Sequence, residues 1–141
     1  MRLTIAAVLL GFAATATAAA VGEIKVARGT AHLERSTERL PVRVGMPVQE
    51  ADRLVTGADG NVGVTFTDNS LLSVGPNSVL KIDQYVFDST THAGKFDSTL
   101  SKGTLAVISG KIVKQSPDAM HVRTPSAIMG VRGTEFVVRV D

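Results

Sequence analysis

Several residue types in this chain could do acid–base or metal chemistry, and their spacing says how far that goes. Asp52, Asp59, Asp68, Asp83, Asp88, Asp97, Asp118 and Glu135 are spread along it, and two carboxylates facing across a cleft would suit glycoside hydrolysis. Asp59, Asp68, Asp88 and Asp118 sit among turn-forming residues, where an Asp carboxylate accepts hydrogen bonds from nearby backbone N–H groups. Their expected role is structural. His32, His92 and His121 are far apart, and no close-spaced pair starts a metal site. His32 and His121 read as strand-surface residues and His92 as part of a loop tip. No Cys is present, which excludes thiolate ligands, a cysteine nucleophile and disulfides. Ser and Thr are frequent, but no G-x-S-x-G elbow occurs. The glycine-rich run Gly57-Ala58-Asp59-Gly60 has no following Lys and opens no helix, so it is not a phosphate loop. No catalytic, metal or cofactor set is expected. The densest feature is Arg132-Gly133-Thr134. Its guanidinium could tie a turn to the preceding chain, through Glu135 or an Asp in the region 52–68, or meet an anion or a glycan. The structural role is favoured, because Gly133 implies a demanding backbone position.

The elements that hold these residues follow from composition and pattern. The 141 residues carry a net charge of +2, and Arg2 is the sole charge among the first twenty. The remainder is close to neutral, without the field that would draw it to nucleic acid or an anionic membrane. Met1-Arg2, the apolar run Leu3–Phe12 and the small residues Ala13–Ala20 form the pattern of a secretory signal peptide. Cleavage after Ala18 or after Ala20 fits equally, and no Cys follows to make a lipoprotein. The expectation is a periplasmic or secreted protein with no stable membrane insertion after cleavage. Residues 21–141 then form one domain.

Helical periodicity is nearly absent after residue 20. Short runs of Val, Ile, Leu, Thr and Phe alternate with Gly, Pro, Asn and Asp. An N-terminal hairpin is expected over residues 21–44, with Arg35–Arg39 as its turn and Pro41 on an edge. From Gly45 the turn clusters Thr56–Gly60, Thr67–Ser70 and Gly75–Ser78 recur every eight to ten residues. Asp59-Gly60 suits a positive φ, and Pro76 presets its own. Asp88–Gly94 reads as an exposed hairpin tip, and Gly103–Ile108 as a strand. Ser109–Lys114 is either a strand continuation or one helical turn, closed before Pro117. Leu54-Val55-Thr56-Gly57 and Val122-Arg123-Thr124-Pro125 each place Thr before a turn residue, as loosely alike coils would. The fold class is all-β: a twisted β-solenoid, a β-helix-like stack of short strands over residues 45–141. With no Trp, one Tyr and five Phe, there is little for an aromatic platform.

Gly45…Asp52-Arg53-Leu54-Val55-Thr56-Gly57, Phe66-Thr67-Asp68-Asn69-Ser70, Gly75-Pro76-Asn77-Ser78 and Thr124-Pro125-Ser126-Ala127-Ile128-Met129-Gly130-Val131-Arg132-Gly133-Thr134-Glu135-Phe136 together resemble the FecR domain of bacterial periplasmic proteins. Asn69 stands where that family more often has Gly, and Asn also tolerates the left-handed region. The resemblance implies an all-β solenoid. It also implies structural or partner-binding roles for Thr56, Gly57, Asp68, Asn69, Gly75, Pro76, Asn77, Thr124, Pro125, Gly130, Arg132, Gly133, Thr134 and Phe136. The family's namesakes resemble transmembrane regulators. In those, this domain receives a periplasmic signal that is passed to a cytoplasmic sigma factor. The present chain resembles the periplasmic domain alone. The expected function is a non-catalytic binding or sensing module whose partner is another envelope protein. The alternative is an envelope scaffold bound to peptidoglycan or polysaccharide.

Overall fold

A computed structural model describes residues 19–141. The signal segment expected over residues 1–20 lies outside them, except for its last two residues. The strands are β1 (Ala20–Arg28), β2 (Ala31–Arg35), β3 (Glu38–Pro41), β4 (Pro47–Gln49), β5 (Arg53–Thr56), β6 (Asn61–Phe66), β7 (Leu71–Val74), β8 (Val79–Phe87), β9 (Gly94–Ile108), β10 (Met120–Arg123), β11 (Ile128–Gly130) and β12 (Glu135–Val140). A short helix, α1 (Lys111–Gln115), follows β9. Apart from that helix, the regular structure of the described residues is all β.

Alternation explains the strands one by one. In β6, Val62, Val64 and Phe66 point inward and Asn61, Gly63 and Thr65 outward. In β7, Leu72 and Val74 are buried while Leu71 and Ser73 face out. Such a period of two gives each strand one apolar face, which must find a partner layer. The strands form two connected halves. One runs β4-β1-β6-β7-β9-β12, the other β3-β2-β5-β8-β9-β10-β11. β9 belongs to both. Its first part pairs with β8 and β10, and Gly103–Ile108 pairs with β7 and β12. The crossing is made by an irregularity at Ser101, where Val79 faces Lys102 but Leu80 faces Leu100, and by Gly103 at φ 94°. A bulge bends and twists a strand, and a Cβ at residue 103 would collide with Ser78.

The result is a curled half-barrel sheet around one core. All ladders are antiparallel except β9 with β10. The β-solenoid expected from the turn spacing is not confirmed by these ladders, since coils stacked in a β-helix pair in parallel. Antiparallel hairpins four to six residues long place their turns at the same intervals. At the core's centre Phe66, Tyr85 and Phe96 touch, with ring centroids 5.3, 4.6 and 4.9 Å apart. Around them lie Ile24, Leu33, Leu54, Leu80, Leu100, Leu105 and Val107, fully buried. Each such aliphatic side chain contributes roughly 1.5–3 kcal/mol on burial, so a core poor in aromatics suffices.

Several local expectations meet the structure directly. β2 and β3 form a hairpin turning at Ser36-Thr37, with Ser36 at φ 58°, tighter than the five-residue turn expected. Pro41 ends β3 on the sheet edge. β1 lies between β6 and β4, so the first strand is built into the same sheet as the residues beyond 45. The β8–β9 hairpin has its tip at 88–93. Ser109–Lys114 resolves into α1, closed by the Ser116 N–H donating to Ile112 at 2.8 Å. Gly60 does not take a positive φ. Glycine is needed there because a Cβ would strike the Thr30 carbonyl and the Thr56 side chain.

Candidate functional site

The motif residues gather into two buried polar corners and one exposed end of the sheet. At the first corner Thr56 Oγ1 donates to the Gly75 carbonyl at 2.6 Å and accepts from the Ser78 N–H at 2.9 Å. The Thr56 N–H donates back to the Ser78 carbonyl at 3.0 Å, and the Asn77 N–H donates to Gly57 at 3.0 Å. Ser78 Oγ donates to the Pro76 carbonyl and accepts from the Thr104 N–H at 2.9 Å. Asn77 takes φ 52°. Thr56, Gly57, Gly75, Pro76 and Asn77 therefore fasten the β5 and β7 ends to β9. Burying these backbone groups is tolerable because each is paired.

The second corner centres on Asp68, which is fully buried. Its carboxylate accepts from the Ser70 N–H at 3.0 Å, Ser70 Oγ at 2.7 Å, the Tyr85 hydroxyl at 3.1 Å and the Ile112 N–H at 3.3 Å. The Tyr85 oxygen in turn accepts from the Asp68 N–H at 2.9 Å and bonds Thr67 Oγ1 at 2.8 Å. Burial, above all, raises the Tyr85 phenol well above its ordinary range, so it remains a donor. The Gly110 N–H donates to Ser70 Oγ at 3.0 Å. Asn69 makes the turn at φ 69°, as expected of an Asn in a position that often holds Gly. The corner clasps α1 to the β6–β7 turn.

A second buried carboxylate is that of Asp52, whose partner the sequence did not indicate. Asp52, 1% exposed, accepts from Arg35 Nε at 2.9 Å and Nη2 at 2.7 Å, and from the Gln49 N–H at 2.7 Å. That hydrogen-bonded carboxylate holds the Arg35 guanidinium pKa above its ordinary value. The sequence offered one signal, an isolated Asp at the mouth of an apolar strand, but nothing to single out Arg35 as its partner.

The remaining acidic residues divide between turns and a cleft. Asp59 accepts from the Thr30 N–H at 3.0 Å and Asp88 from those of Thr90 and Thr91 at 2.8 and 3.2 Å. These backbone bonds lower both carboxyl pKa values. Asp83 and Asp97 share an open cleft of about 580 Å³ with Glu50, Lys95 and Arg123. Thr99 donates to Asp83, Asp97 lies 3.2 Å from His121 and 3.5 Å from Lys95, and Glu50 accepts the Tyr85 N–H. Each of these carboxylates is thus engaged by a neighbour. His32 sits on β2 beside Glu34, and His92 stacks on Phe87 at the hairpin tip. Among the described residues, no group of three or more His, Cys, Asp or Glu is placed to hold a metal ion.

The exposed end holds the longest motif. Thr124 closes the β10–β11 turn, its N–H donating to the Ala127 carbonyl at 2.8 Å and its Oγ1 accepting the Ala127 N–H at 3.2 Å. Pro125 is exposed at the tip. Gly130 pairs with His121 in β11. Arg132 binds Asp118 through Nε at 3.1 Å and Nη2 at 2.8 Å, rather than Glu135 or an Asp of the region 52–68. Both side chains are largely exposed. Gly133 has φ 101°, and Ser109 Oγ donates to its carbonyl at 2.6 Å. The Thr134 carbonyl accepts the Ser109 N–H at 2.8 Å. Phe136, half-buried in β12, lies opposite Val107. Thr124, Pro125 and Met129 together with Val138, Arg139 and Asp141 line a groove of about 430 Å³. Ile128 and Val137 beside it are 64% and 67% exposed. This groove and the strand edges around it form the candidate site.

No curated protein and no solved structure matches this chain. The family model described as FecR protein matches residues 52–141, the span that contains both polar corners and the exposed end. That family is known from envelope signalling regulators. With that match over residues 52–141, the chain belongs to the FecR protein family.

Proposed function

We propose that this protein is a periplasmic, non-catalytic binding or sensing module that acts through protein–protein contacts in the cell envelope. The family match over residues 52–141 carries the reading. Two features of the molecule support it. The side chains of the motif residues Thr56, Asp68 and Thr124 are engaged in holding turns. Among the described residues, β3, β4, β11 and β12 lie at edges of the sheet, and an added strand from a partner would pair with such an edge. In this reading the signal pattern of residues 1–20 directs export and is then removed.

Cross-linking of the mature protein in its native periplasm, followed by identification of the captured chains, tests the reading. A specific envelope protein is the expected product. Cosedimentation with purified cell wall that survives high salt would instead favour the peptidoglycan or polysaccharide scaffold. Release of products from wall fragments would overturn the non-catalytic assignment.

A further inference from the structure

β12 is an edge strand with an unusual charge pattern. Among the described residues it pairs only with β9, from Glu135 opposite Ile108 to Val140 opposite Gly103. The Ser109 N–H donates to the directly opposed Thr134 carbonyl, which sets the phase of the ladder. In an antiparallel pair, hydrogen-bonded and non-bonded positions alternate. Phe136, Val138 and Val140 thus direct their backbone groups at β9, and Glu135, Val137 and Arg139 direct theirs at the open edge. The same three side chains lie on the outer face and are exposed, while Val138 is in the core.

We infer that β12 is a homodimerisation edge, pairing antiparallel with β12 of a second copy about a two-fold axis at Val137. The order Glu135-Phe136-Val137-Val138-Arg139 is self-complementary in this register. Val137 faces its symmetry mate, Glu135 of each copy faces Arg139 of the other, and Phe136 faces Val138. All three outward residues are already in the hydrogen-bonding phase that the pairing requires. Opposite charges directly across a ladder are favourable and like charges unfavourable, so the pattern selects this register over slipped ones. Arg139 now bonds Asp141 at 3.1 Å, with both side chains largely exposed, and an exposed pair of this kind holds its partner weakly. The strand has no Pro, no bulge and no inward charge, three of the devices that blunt an edge, and its outward charges, Glu135 and Arg139, are opposite in sign and so can pair across it. Pairing would extend the half-sheet β4-β1-β6-β7-β9-β12 into its counterpart. Exposed Leu71, Ile108 and Val137 would then lie on one continuous outer face. Isologous contacts of this type close on themselves. The inference stands apart from the envelope-partner reading, because a second copy and a foreign strand can use different edges.

Sedimentation velocity of the mature protein over a concentration series tests it, with far-UV circular dichroism confirming that each variant folds. The expected result is a reversible dimer. E135R alone and R139E alone each oppose like charges twice per dimer and should weaken association by about tenfold or more. Mixing the two variants should restore a heterodimer, because each then carries the charge the other lacks, and the double variant E135R/R139E should dimerise like the parent. A protein that stays monomeric up to about 1 mM overturns the inference. So does a dimer indifferent to both single reversals, or variants that fail to recombine on mixing. None of these outcomes bears on whether an envelope protein is captured in the periplasm.

Discussion

Gly133 and Gly103 both adopt positive φ, at 101° and 94°, yet they test different physics. Nothing lies within 4 Å of a Cβ built on Gly133, so Gly133→Val meets only the backbone cost of a side chain in that region. A loss of about 1–3 kcal/mol is expected, read as a lowered thermal midpoint, and an unchanged melt would contradict it. Gly103→Ala adds a collision with Ser78 to the same backbone cost and should be the more damaging change, although alanine is the smaller residue. The need for glycine at 133 was legible in the sequence, because Arg-Gly-Thr between apolar runs marks a forced turn. The partner of Arg132 was not. Asp118 precedes it by fourteen residues across the β10–β11 hairpin, and only the path of that hairpin brings the two together. Gly60 shows the converse: its dipeptide read as a positive-φ turn, whereas the close approach of Thr30, distant in sequence, is what requires glycine.

The short helix α1 depends on a side-chain network rather than on its own five residues, too few for a stable isolated helix. Its N-terminal groups are satisfied by Asp68 and Ser70, and Asp68 is held by Tyr85. Tyr85→Phe removes one donor to the carboxylate and leaves the buried Asp68 N–H without its acceptor. A loss of about 1–3 kcal/mol is expected. Amide hydrogen exchange should accelerate at Gly110 and Ile112, remote in sequence from the substitution. Acceleration confined to residues adjoining Tyr85 would refute the clasp. Strand and turn positions were legible because period-two burial and Asn, Asp and Gly turns leave local marks. Pairing was not, since antiparallel hairpins and stacked coils share the same turn spacing. The edge character of β12 was equally hidden, because whether Glu135 and Arg139 line a free edge depends on where β9 runs.

For the whole molecule, the decisive fact is that β9 pairs with β7, β8, β10 and β12. Neither half of the sheet can open without exposing the other half's longest strand, so unfolding should be a single cooperative transition. Tyr85 is the sole Tyr and there is no Trp, so its fluorescence reports one half near the Asp68 corner, while far-UV circular dichroism reports all strands. The two probes should give coincident midpoints in urea, and separated midpoints would show that the halves unfold independently. The all-β class and the absence of thiol chemistry were readable from composition. The shared strand was not, because Gly103–Ile108 reads as a strand of its own, whereas it is the second part of β9. That shared strand also governs the order of assembly. β6 and β7 can pair early as a hairpin, but the other edge of β7 has no partner until Leu105–Ile108 has been made. Pairings that must wait for distant sequence form slowly and leave edges exposed to aggregation meanwhile, so the unpaired edge of β7 is the aggregation-prone edge of the incompletely folded chain.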